Sequence, residues 1–307
     1  MKPATALALA LAAAAAPALG SCSSVQGSPG CFGQSDVSLP TADKVRARLS
    51  NGEAGRRAYD AVASGDLAAL ESLVHNDPRL LSTHAVLAEG ERPSNGNVGD
   101  LLAFAVASCR PETVAALLEL GADPDGNPAG LPLTLAALAD DPLMATMLLQ
   151  AGASADAHDE NLSSPLREAL YFERSDSVAL LLRGGADPNR ADAVGGTPLA
   201  AAMLFADYRS AEELLRAGAN PWQVANKGVL PARLLVEPVK DGGDEALRQR
   251  LVSRVRENAP IWPPPPASEV RDKVLGKDWP TAAMAESGFA VTPQAMSSMQ
   301  FAQRAGE

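Results

Sequence analysis

The side chains readiest for metal or nucleophile chemistry in this 307-residue chain are three histidines, His75, His84 and His158, and three cysteines, Cys22, Cys31 and Cys109. Two ligands on one helical face need a spacing of three or four residues, and no pair of these histidines has it. The chain carries no C-x-x-C, H-E-x-x-H or G-x-S-x-G motif and no phosphate-loop pattern, and no histidine neighbours a thiol in sequence as a general base. We therefore expect no catalytic set, no metal, no cofactor and no small-molecule substrate. The 37 acidic residues against 26 basic ones leave a formal charge of −11. That balance disfavours nucleic acid as a partner and reads as a solvated acidic face rather than as paired acid and base groups.

Cys22 has a different context. One lysine, an Ala/Leu run and small residues precede it, which is the layout of a secretory signal over residues 1–21 and not of a spanning helix. The string Leu19-Gly20-Ser21-Cys22 resembles a bacterial lipobox, and this resemblance implies that Cys22 becomes the lipidated first residue of an envelope protein, with residues 22–53 as its arm. Ordinary cleavage after Ala18 or Gly20 is the alternative, and Cys22 is then a free thiol. If Cys22 carries lipid, Cys31 and Cys109 remain as an even pair. In an oxidising compartment they form either a disulfide that pins the arm to the folded body or two unpaired thiols.

The elements that must position any binding surface are set by a period. Pro132, Pro165, Pro198 and Pro231 stand 33 residues apart, in Leu131-Pro132-Leu133, Ser164-Pro165-Leu166, Thr197-Pro198-Leu199 and Leu230-Pro231-Ala232. Proline is tolerated in a first helical turn, which Ser or Thr can cap, so each string opens a helix. Gly121, Gly152, Gly185 and Gly218 close a second helix in each unit. The second helices end in Leu117-Leu118, Leu148-Leu149, Leu181-Leu182 and Leu214-Leu215, expected to face the next unit. Such a period marks a repeat array.

The units resemble the ankyrin repeat, whose pattern runs T-P-L-H-x-A-A, then x-x-G-x-x-E-I-V-x-L-L-L, then x-x-G-A-D-x-N. Residues 192–221 match best, through Thr197-Pro198-Leu199 and Leu214-Leu215-Arg216-Ala217-Gly218-Ala219-Asn220. The family histidine is replaced by Thr134, Arg167 and Ala200, so its hydrogen-bond network is not expected. The resemblance implies an all-α solenoid of about six helix-turn-helix repeats over residues 54–258. The first unit spans Ala54 to Asp77, and the last second helix, Asp244 to Glu257, is charged enough to face water as a cap. The connection across residues 79–99 is about 11 residues longer than its counterparts, and either carries binding or is merely tolerated. Residues 259–307 form a Pro-rich tail with a short helix from Ser268 to Leu275 and disorder beyond about Pro280.

The same resemblance implies that the first helices and hairpin tips line a concave face that holds a protein partner. The corresponding positions are Leu138 and Ala139, Tyr171 and Phe172, then Leu204 and Phe205, with Tyr208 nearby. Aromatic anchors of this kind are typical interface hot spots; the alternative is that one residue of each pair packs inward. His158, Glu160 and Asn161, with Val194 and Asn226, form a polar rim, and His158 is either a pH sensor or an inert exposed histidine. We expect a membrane-anchored envelope module that binds protein, such as an immunity protein or inhibitor of a secreted effector. A structural or chaperone-like scaffold for a periplasmic enzyme is the alternative.

Overall fold

The computed structural model describes residues 45–90, 99–139, 142–158, 163–238, 240 and 242–305. The signal segment, Cys22, Cys31, Glu160, Asn161 and most of the Glu89-to-Gly96 loop lie outside these. The described chain is mostly helical. Its paired helices are α1 Gly52–Ser64 and α2 Leu67–Asn76, α3 Leu101–Ala107 and α4 Pro111–Glu119, α5 Leu131–Leu138 and α6 Pro142–Gln150. Then come α7 Pro165–Tyr171 and α8 Ser175–Arg183, α9 Pro198–Leu204 and α10 Tyr208–Arg216, and α11 Pro231–Val236 and α12 Glu245–Glu257.

Local chemistry explains both ends of these helices. The Ser164 and Thr197 hydroxyls accept from the backbone N–H of Arg167 and Ala200, capping α7 and α9 with proline as the next residue. Gly121, Gly152, Gly185 and Gly218 all have φ between 94° and 101°. This left-handed residue lets the following amide reach back to the helix, as in Ala122 N–H to the Leu117 carbonyl and Ala219 N–H to the Leu214 carbonyl. The turns inside the pairs use the same geometry with side chains present: Cys109, Glu173 and Ala206 have φ of 53°, 56° and 58°. A β-carbon is disfavoured there. Glu173→Gly is accordingly expected to stabilise the chain by about 0.5–1 kcal/mol, read as a higher urea midpoint with unchanged slope.

The pairs stack so that α1, α3, α5, α7, α9 and α11 form one layer and α2, α4, α6, α8, α10 and α12 the other. One continuous core runs between the layers, including Leu102, Phe104, Leu135, Leu138, Leu170, Leu181, Met203 and Leu214. Successive tips are tied by a ladder of side-chain acceptors. Asp125 accepts from Ser154 N–H at 2.7 Å, Asp156 from Asp187 N–H at 3.0 Å, and Asn189 from Asn220 N–H at 2.6 Å.

The residues after Pro280 differ from expectation. They form α14 Ala282–Glu286, the short strand β2 Ala290–Val291 and α15 Pro293–Ala305, after α13 Ala267–Leu275. β2 pairs in parallel with β1 Gln223–Val224, and Phe289, Ala295, Met299 and Ala302 are buried. Ser and Gln interrupt the apolar residues of the segment, yet the apolar positions 295, 299 and 302 fall on one helical stripe, which is enough to dock it. Among the described residues no helix is long and apolar enough to cross a membrane.

Candidate protein-docking groove

Three consecutive first-layer helices, α7, α9 and α11, and the tips near residues 190–196 and 225–229 enclose an open cavity of about 390 Å³. The helices contribute Leu170, Tyr171, Ala200, Ala201, Leu204, Phe205 and Leu234; the tips contribute Asp192, Val194, Gly196, Ala225, Asn226 and Val229. The space exists because the middle helix presents Ala200 and Ala201 where larger side chains would fill it. It is of the size that accepts one or two side chains of a ligand.

The expected aromatic pairs divide. Tyr171 is 58% exposed and Leu204 45%, whereas Phe172 and Phe205 are half-buried. The Tyr171 ring meets Phe172 and Phe205 edge to face, with centroids 5.3 and 5.7 Å away. One member of each pair is thus the less exposed, and both phenylalanines brace the Tyr171 ring. Tyr208 is not part of this surface. It is 3% exposed, because it opens α10 and turns between the layers, while Asp207 caps that helix and accepts from the Ser210 and Ser175 hydroxyls. Leu138 and Ala139 are buried as well, so the docking surface does not extend to α5. His158 is half-buried after α6 and does not line the groove.

The groove is apolar with a charged flank. Arg167 Nη1 donates to Glu168 at 2.7 Å and Nε to Asp192 at 3.2 Å. Burial opposes its charge, but the carboxylates of Asp192 and Glu168 outweigh that effect and raise its pKa above the ordinary arginine value. Asp192 also accepts from the Val194 and Gly196 amides, so Arg167 ties α7 to the groove's tip wall. Arg167, Asp192, Ala200 and Ala201 were not identified as groove residues by sequence. The departure from the repeat pattern at Arg167 and Ala200 was the available signal.

Two other polar features are structural. Asp100, 6% exposed, accepts from the Ala103 and Asn127 amides, each at 2.8 Å, and burial pushes its pKa up to about 6. A carboxyl group raised above its ordinary value of 3.8 binds its proton more tightly in the folded state. Stability from this group therefore rises as pH falls from about 6 towards 4. Between pH 7 and pH 5 the chain should gain roughly 1 kcal/mol in urea unfolding, and Asp100→Asn should remove that gain. Cys109 is disulfide-bonded; the other two cysteines, Cys22 and Cys31, lie outside the described residues. Among the described residues no three His, Cys, Asp or Glu side chains gather as a metal site. No protein-family model matches the chain, and no curated protein matches its sequence.

Proposed function

We propose that this chain is an ankyrin-type repeat protein, exported and anchored in the cell envelope by lipid on Cys22, that works by holding one protein partner in the groove between α7, α9 and α11. The fold reading rests on the 33-residue period and on the two-layered stack of helix pairs. One observation carries the functional reading. Six large apolar side chains are well exposed among the described residues, and three of them, Tyr171, Val194 and Leu204, line this one groove. Concentrated exposure of that kind marks an interaction site. Within this reading, the chain acts as an inhibitor or immunity protein for a secreted effector.

Affinity capture from the envelope of the producing organism tests it, with native protein as one bait and Tyr171→Ala/Leu204→Ala as the other. A single stoichiometric partner recovered only by the native bait supports the groove. Recovery of the same partner by both baits removes the groove from consideration. If the partner proves to be a toxic hydrolase and the chain fails to protect cells expressing it in the periplasm, the immunity role is abandoned while the binding role stands.

A further inference from the structure

The groove's tip wall is itself held from behind by the C-terminal segment. Gly195 is buried with φ of 85°, and a β-carbon placed there would stand 2.8 Å from the Ala295 nitrogen, so the backbone of α15 lies directly against the turn that carries Val194 and Gly196. Further along, Lys227 adopts φ of 56° inside the turn whose neighbours Asn226 and Val229 line the groove. Its N–H donates to the Ser298 hydroxyl of α15 at 2.9 Å. Two more bonds attach the start of the segment: Asn220 donates from its side-chain amide to the Gly288 carbonyl at 2.6 Å, and Ala290 N–H to the Trp222 carbonyl at 3.3 Å. Asn220 is the last member of the ladder between tips, and the C-terminal segment bonds to its side chain.

We propose that residues 288–305 are a positioning strap that holds the tip wall of the groove in its binding shape. Two turns with left-handed residues, at Gly195 and Lys227, form that wall. Neither belongs to a long helix whose own hydrogen bonds would fix it, and both lie against α15. The strap contributes no residue to the groove lining. Docking of the strap and occupation of the groove are therefore coupled, and each strengthens the other by the same factor. The meaning of this coupling for function rests on the groove being the partner site, but the strap's effect on the wall is measurable without any partner.

The test is hydrogen exchange on the full chain carrying Ala295→Asp/Met299→Asp, two positions fully buried on α15, which places carboxylates in an apolar contact and leaves both wall turns with their own sequence. Backbone amides of residues 195–196 and 225–229 should exchange at least about tenfold faster than in the native chain, with α5 to α8 unchanged. Native exchange rates in both turns despite a released α15 would overturn the proposal. Uniform acceleration through the whole array would overturn it too, since the segment would then be a general cap. If α15 stays protected in the double variant, Ser298→Ala decides: the Lys227 amide should exchange several-fold faster, and an unchanged rate counts against the strap. A faster wall in a chain that captures no partner would leave the strap standing and the docking reading refuted.

Discussion

Replacing Tyr171 and Leu204 together by alanine is expected to weaken the partner complex by at least about tenfold and to leave the fold intact. The two side chains are 58% and 45% exposed in the free protein, so truncating them removes little existing packing. In a complex the exposed half of each becomes buried, and because full burial of a large apolar side chain is worth about 1.5–3 kcal/mol, each contributes about half of that. The two together, about 1.5–3 kcal/mol, meet the roughly 1.4 kcal/mol that a tenfold change in affinity requires. Tyr171 is also held in advance by its edge-to-face contacts with Phe172 and Phe205, which lowers the entropy lost on binding. Titration calorimetry with the captured partner reads the effect, and unfolding in urea checks the fold. Ala201→Phe should act in the same direction by filling the groove, with both native anchors still present. An affinity unchanged in both variants would send the search to the loop over residues 79–99.

Loss of the disulfide at Cys109 is expected to have the largest effect on stability. Cys109→Ala should cost about 2–4 kcal/mol of unfolding free energy, because the cross-link restricts the unfolded chain. Alanine keeps a β-carbon at φ of 53°, so no relief of backbone strain offsets the loss. A reductant should lower the urea midpoint of the native chain to that of the variant and leave the variant where it is. A native chain indifferent to reductant would contradict the bond. Peptide mapping without reduction identifies the partner cysteine. If Cys22 carries lipid, Cys31 is the cysteine the sequence leaves for Cys109, and pairing with it would hold the arm bearing Cys22 close to the first helix pairs.

The helix ends were legible because the residues that make them act locally. Pro165 and Pro198 fix the first turn, Ser164 and Thr197 cap it, and Gly185 and Gly218 adopt the one backbone region where a β-carbon is disfavoured. None of this depends on distant contacts. The order of the tail is not legible in this way, for the complementary reason. Over Ser287 to Ala305 the apolar residues are interspersed with Ser, Thr and Gln, and three of them on one stripe are sufficient once a ready-made surface, the tips at Gly195 and Lys227, stands opposite.

Of the proposed binding surface, the sequence alone determined the candidate positions: the period placed Tyr171, Phe172, Leu204 and Phe205 at the same point of adjacent units. It could not determine which of them meet solvent, since residues next to each other at a helix end differ by a rotation that only the neighbouring helix settles. Tertiary packing turned Tyr171 and Leu204 outward, Phe172 and Phe205 partly inward, and Tyr208 fully between the layers. It also made a groove of Ala200 and Ala201, because a cavity is the space that three helices leave between them and is not a property of any one of them.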